Sequence, residues 1–415
     1  MTVNKSKTIG KKLVIFFVYV LAIVVGVFVV CEAWFRFYFR SGKTVNDYAS
    51  VIVDRRLWKL WENNSNDNPL LPPFRVFADT NINDLNRLKM IVKETALPKN
   101  TKLTAYNFLR PQSIKDQTAY TAAINNLGFR DPTRTVAKPK LVFRIIAFGS
   151  YLTFGHGVSD NDTYPRQLET ILNQNRPDNL KFEVWNAGRD SGTAIEGLAK
   201  LETGALDYKP DLIIWDYGFV DPFIVADNDF PVTTMLKYKN LPEPFKSVFV
   251  AGKNFLADHS LFYSKVVQRL AYLSYGKNLA NFMSVNEKML QIAAANRIPV
   301  IVTQLSLPQN TNFATRQAYD KFLTNHPDMK NLVSFVNYND VLEKYPPTEE
   351  VARQFYDQPN WLSEFPANLK KIGPWKRAEY FTDIYHYNKW GYQAIAKYLA
   401  GEISTYLKSQ PFKNQ

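Results

Sequence analysis

Between Leu13 and Cys31 the chain reads LVIFFVYVLAIVVGVFVVC, without one charged residue. These nineteen residues, wound as a helix at ~1.5 Å per residue, rise about 28 Å, close to the ~30 Å of bilayer hydrocarbon. A cleaved signal peptide would have a shorter apolar run and a small-residue cleavage site. VVCEAWFRFYFR instead offers bulky residues and no A-x-A spacing, and Val30 before Cys31 does not suit a lipoprotein site. The sequence therefore predicts an uncleaved membrane anchor over residues 13–35 behind a basic tail over 1–12, with Trp34, Phe35, Phe37, Tyr38 and Phe39 as an interfacial aromatic belt. Lys5, Lys7, Lys11 and Lys12 precede the helix with no acid among them, while Arg36, Arg40 and Lys43 follow it closely. That small bias predicts a cytoplasmic tail and a large C-terminal domain outside the cytoplasm, periplasmic or extracellular.

With 415 residues, 46% of them apolar and 14% aromatic, the chain can build a large core, so one main domain with additions is expected. The net charge of +13 is spread over helices and loops and forms no basic run interleaved with aromatics. This argues against nucleic acid and leaves either a general attraction to anionic lipid or polysaccharide surfaces, or solubility alone. Cys31 is the single cysteine, so no intramolecular disulfide exists and the redox compartment stays open.

Residues 36–124 mix apolar clusters such as RRLWKLW with NNSNDNPLLPP and are read as a linker or accessory segment. From residue 141 the pattern becomes regular. LVFRIIAF (141–148), FEVWN (182–186), DLIIWDY (211–217), IPVIVTQL (298–305) and LVSFVNY (332–338) read as strands covered on both faces. Helices lie between them. Thr163 and Pro165 open one whose Leu168, Ile171 and Leu172 share a face, Ser284 and Glu287 have capping-box spacing, and Ile395, Leu399, Ile403 and Leu407 form a core stripe in the last. The alternation predicts an α/β fold, a doubly wound parallel sheet whose site lies at the carboxyl ends of the strands. Residues 222–280 and 345–381 exceed ordinary connections and are either a rim around that edge or packing decoration.

NNLGFRDP (125–132), GSYLTFGHGVSDNDTYPRQLETIL, VWNAGRDSGT, KPDLIIWDYGFVD and DIYHYNKWGYQAIAKYLA follow one another in an order that resembles the SGNH/GDSL hydrolase superfamily, especially its membrane-anchored bacterial members. CEAWFRF is similar to the E-x-x-x-R exit of such anchors. The likeness covers roughly residues 121–405 and implies a flavodoxin-like, three-layer SGNH-hydrolase-like domain over 125–410 with the two insertions named above. The chemistry it implies uses a serine in G-D-S, a glycine in the second block, an asparagine in G-x-N-D, and D-x-x-H. The serine attacks an ester carbonyl, the histidine takes its proton, the aspartate orients the imidazole, and main-chain and asparagine amides hold the oxyanion.

Carried over residue by residue, that machinery is incomplete. Gly149, Thr153 and Gly155 keep the first-block spacing, which puts Ser150 at the aspartate position and Tyr151 at the nucleophile. Gly188 fits the second block; Gly218 and Asp221 fit the third, where Val220 replaces the asparagine donor; Asp383 and His386 fit the last. Losing one oxyanion donor costs about 3–4 kcal/mol, and losing a triad serine about a million-fold in rate.

Three rescues arise. Ser150 is one residue away, but neighbouring α-carbons lie ~3.8 Å apart and adjacent side chains diverge, while a nucleophile must sit within ~3 Å of its base. The Tyr151 ring carries its hydroxyl several ångströms beyond a serine's reach, and Ser191 reads as a backbone-bonding turn residue. Tyr151 is instead expected to plug the old pocket, hydroxyl on His386 and ring on apolar neighbours. Asp383 and His386 then form a hydrogen-bonded pair fixing the final loop, and His156 reads as a surface-loop residue. His259 and His326 have no metal-ligand spacing, so neither a metal nor another cofactor is expected.

The sequence thus favours a membrane-anchored envelope protein without serine-ester chemistry. It would bind or scaffold an envelope polysaccharide, an acyl-carrying ligand or a membrane-protein partner. The competing expectation is an esterase or O-acyl transferase with Ser150 or another nucleophile, His386 as base and Asp383 orienting it. A third is a structural subunit of a membrane assembly.

Overall fold

The computed structural model of the protein describes residues 3–40, 80–106, 119–174, 180–190, 192–217, 260–304, 311–348 and 386–409, together with 242, 244, 245 and 248. The chain divides into two compact units, Met1–Arg55 with Pro231–Ser274, and Arg56–Phe230 with Tyr275–Gln415.

In the first unit, α1 (Val3–Arg40) is one continuous helix. It contains Val14–Trp34, a 21-residue stretch long and apolar enough to cross a membrane. The helix itself extends beyond that stretch on both sides, and neither flank carries a proline that would stop it. Near its end the E-x-x-x-R pair closes one helical turn, Arg36 Nε donating to Glu32 Oε1 at 2.6 Å.

Among the described residues, the first element of the second unit is α2 (Leu85–Thr95), where Asp84 caps the helix by accepting from Asn86 N and Arg87 N, and Leu88, Ile91 and Thr95 form its buried stripe. Strands β1 (Thr101–Tyr106) and β2 (Ala119–Ile124) pair antiparallel. Then come, among the described residues, β3 (Val142–Gly149), α3 (Tyr151–Phe154), α4 (Tyr164–Gln174), β4 (Lys181–Asn186), α5 (Ala194–Thr203), β5 (Leu212–Asp216), α6 (Leu261–Ala295), whose residues through Ser274 belong to the first unit, β6 (Val300–Gln304), α7 (Thr311–Asn325), β7 (Val333–Asn337), α8 (Tyr338–Lys344) and α9 (Lys389–Ser409).

The main sheet has the order β4-β3-β5-β6-β7, and its strand pairs are all parallel. This is the flavodoxin-like arrangement, in which successive crossovers leave β3 in opposite directions and open a crevice at its carboxyl end. Ile146, Phe148, Ile213, Trp215, Val300 and Val302 share one core with residues of α2, α5, α6 and α7. Their alternates Ile145, Ala147, Ile214 and Ile301 are equally buried and face the other way. There α4 and α9 pack against each other, burying Leu168, Leu172, Ile395, Leu399 and Ile403. The result is the three-layer α/β architecture expected.

One local reading differs from the structure. Ser284 and Glu287 open no helix: α6 runs through them, and Ser284 Oγ donates to Asn281 O at 2.8 Å. The buried positions Phe282 and Val285 already carry the apolar stripe there, so the capping spacing falls inside an established helix. Within 36–124, read as a linker or accessory segment, the described residues contribute to packing. Leu88 and Ile91 of α2 belong to the main core, while Tyr120, Ala122 and Ile124 of β2 form a small core with Phe154. An eleven-residue helix offering two large core positions gives too short a period to stand out in sequence.

Candidate functional site

The carboxyl end of β3 lies at the point where strand order reverses, and the frame of the site is built there from small residues and one arginine. A β-carbon on Gly149 would overlap Thr153 Oγ1 and come within 2.9 Å of the Asp216 β-carbon, so only glycine lets the turn sit this close to β5. Ser150 turns the chain into α3, which ends at Gly155 with φ +88°, a conformation costly for a residue with a β-carbon. The fully buried Arg130 side chain spends all its donors on this turn and its neighbours. Nε reaches Asp160 at 2.8 Å, Nη1 the carbonyls of Phe154 and Gly155 at 3.1 and 2.6 Å, and Nη2 those of Thr121 and Val158 at 2.8 and 2.6 Å.

After β4, Gly188 approaches the same turn so closely that a β-carbon would stand 2.6 Å from Phe154 N. Its amide donates to Asn186 Oδ1 at 3.1 Å. That N–H, which the family resemblance assigns to the oxyanion, is directed to a side chain of its own strand.

On this frame sits a cluster of rings. Tyr151, at the position the family resemblance assigns to the nucleophile, is 9% exposed and meets His386 edge-on, with centroids 4.8 Å apart and planes at 79°. The contact is made by the ring, where the sequence reading expected the hydroxyl on His386 and the ring on apolar neighbours. The other side of His386 lies against His156, centroids 4.0 Å apart and planes at 30°. His156 corrects the sequence reading: it is fully buried, because Gly155 turns it inward onto a carboxylate. Its Nδ1 is 2.7 Å from Asp190 Oδ2 and 3.1 Å from the Tyr120 hydroxyl. Burial pushes the Asp190 carboxyl up, but the imidazoles of His156 and His386, with Arg189, outweigh it and hold the group below 3.8.

A second buried carboxylate, Asp216, ends β5 beneath the turn. It accepts from Thr153 Oγ1 at 2.8 Å and from Thr303 Oγ1 at 2.7 Å, and Tyr164 shares the Thr153 hydroxyl at 3.0 Å. Burial pushes Asp216 up to about 6, and the threonine hydroxyls restrain the rise.

Gly149, Ser150, Tyr151, Gly188 and His386 therefore meet at one edge of the sheet. Val220, Asp221 and Asp383, like Gly218, Ser191 and His259, lie outside the described residues. His326 serves its own helix end, with Nδ1 2.9 Å from Phe322 O. Among the described residues no group of three His, Cys, Asp or Glu side chains is arranged to hold a metal. The sequence reading missed Asp190 and Asp216. Each had a faint signal: an acid two residues after the second-block glycine, and a charge closing an otherwise apolar strand. Chemically, the cluster offers a carboxylate–imidazole pair suited to holding or moving a proton, with a phenol ring covering the neighbouring imidazole.

No family model matches the chain, and no curated protein does. Solved structures do. A protein from Desulfitobacterium hafniense described as a lipolytic protein of the G-D-S-L family is 16% identical over 62% of this chain and 98% of its own, with a TM-score of 0.33. AlinE4, an SGNH-hydrolase family esterase, is 17% identical over 56% of this chain and 100% of its own, with a TM-score of 0.30. The lipase/acylhydrolase from Enterococcus faecalis is 14% identical over 66% of this chain and 98% of its own, with a TM-score of 0.33. The SGNH/GDSL-like character of the fold rests on the chain's own features: the first-block turn ends β3, the second-block glycine follows β4, and the histidine of the last block precedes α9.

Proposed function

We propose that the protein is a single-pass membrane-anchored component of the cell envelope, with its SGNH-like domain outside the cytoplasm, that binds without hydrolysing. Its ligand is an envelope polysaccharide, an acyl-carrying molecule or a membrane-protein partner. The observation that carries this reading is the buried Tyr151 ring lying against His386 where a serine hydroxyl would have to stand. Gly188 N–H bonded to Asn186 and valine at position 220 weaken the oxyanion hole as well. Oxyanion donors contribute about 3–4 kcal/mol each, and the nucleophile about a million-fold in rate, so ordinary esterase turnover is lost. The span Val14–Trp34 and the lysines before it support the anchoring and orientation.

One observation favours retained acyl chemistry, as an esterase or O-acyl transferase: the His156–Asp190 pair keeps a proton acceptor in place beside His386. A fluorophosphonate probe on the purified full-length protein separates the two readings. The binding protein stays unlabelled while an active serine hydrolase in the same tube reacts; a covalent adduct mapped to Ser150 overturns it in favour of the enzyme.

A further inference from the structure

Glu32 is the one charged residue within Val14–Trp34. A carboxylate at that depth is tolerated where protein groups satisfy it. Arg36 Nε supplies one donor at 2.6 Å. The others come from a distant part of the same compact unit: Ser260 Oγ at 2.7 Å and the backbone N–H of Phe262 at 2.9 Å. Glu32 thereby caps the first turn of α6, and Tyr263 N closes it on Ser260 Oγ at 2.9 Å. Below this polar knot, the Phe262 ring packs edge-on against Phe28, centroids 5.6 Å apart. Phe28 lies six residues before Trp34, about 9 Å inside the end of the apolar stretch at ~1.5 Å per residue. A ring held there is at the level of lipid. The same unit also carries Phe245 and Val248, each 69% exposed, the most exposed large apolar side chains among the described residues outside α1.

We propose that the beginning of α6, from Ser260 to Tyr263, and the side chains of Phe245 and Val248 form a second lipid-contacting element that dips into the leaflet at the Trp34 end of the anchor. The chain then meets the bilayer at two places, and the Glu32 knot joins them. The occupant of this apolar surface is the bilayer itself, since Phe262 is fixed at the depth of Phe28. The proposal rests on Val14–Trp34 spanning the membrane, and its test separates the two ideas.

Nitroxides are placed one at a time on Val24→Cys, Phe245→Cys, Val248→Cys and Leu141→Cys in a Cys31→Ser background. The full-length protein is reconstituted in phosphatidylcholine–phosphatidylglycerol nanodiscs. Accessibility to oxygen against a water-soluble nickel chelate reports depth. The expected result is strong exclusion of nickel from 24, 245 and 248 and free access at 141. Embedded 24 with 245 and 248 as nickel-accessible as 141 overturns the second contact alone. An accessible 24 overturns the span, and the proposal with it.

Discussion

Asp190 and Asp216 are both almost fully buried at the same edge of one sheet, yet their environments drive them in opposite directions. Asp190 faces His156 at 2.7 Å and is held below 3.8. Asp216 has hydroxyl donors in Thr153 and Thr303 and is pushed up to about 6. Burial alone costs both the charged form; a nearby imidazole repays that cost, and two hydroxyls do so only in part. Asp190 lies where chemistry would be run, while Asp216 secures the turn beneath it. The difference separates a group kept charged in the site from a group holding the frame of the site in place.

Removing Asp190 should break the contrast most severely. Asp190→Ala strips a buried imidazole of its carboxylate, and losing one partner of such a pair costs about 3–5 kcal/mol. The denaturant midpoint of the second unit should fall accordingly; a loss below about 1 kcal/mol would mean that His156 does not depend on the pair.

The pH dependence of the two groups should then run in opposite directions. Between pH 3.8 and about 6 the folded state keeps the Asp216 proton that the unfolded chain has released, so this group's contribution to stability declines as pH rises through that window. The displacement from 3.8 to about 6 corresponds to about 3 kcal/mol. The stability difference between wild type and Asp216→Asn should grow in favour of wild type by that amount as pH falls from neutrality to about 3. Asp190 has the reverse sign: its contribution is complete above 3.8 and disappears as pH drops below it. A flat wild-type-minus-Asn difference across pH 4–6 would show that Asp216 ionises normally.

The smallest effect belongs to a single donor. Thr303→Val leaves the volume nearly unchanged and removes one hydroxyl from Asp216, which should cost about 1–2 kcal/mol at pH 7 and less at pH 4. Chemical denaturation at the two pH values measures it, and an equal loss at both would show that the hydroxyl serves neighbours other than the carboxylate.

Much of the frame was legible because parallel strands buried on both faces must be apolar throughout. The runs beginning at 141, 182, 211, 298 and 332 each became a strand within a residue or two. The first-block turn could be placed because Gly149 and Gly155 satisfy constraints that few other residues meet. His156 was misread because a histidine beside glycines looks the same in sequence whether the turn points it inward or outward. The Ser284–Glu287 spacing misled because capping chemistry is local, while whether a helix has already begun is settled by residues upstream.

The sequence by itself determined the apolar helix near the amino terminus, the doubly wound sheet, and tyrosine and valine at the two positions where the family resemblance would have serine and asparagine. These follow from periodicity, length and residue identity, which a linear chain carries openly. Only the tertiary structure decided that Asp190 meets His156, that Asp216 is cradled by threonines from the turn and from β6, and that Glu32 caps a helix more than two hundred residues away. Those pairings join residues remote in sequence, and their energetics depend on distance and burial, which exist only once the layers have closed.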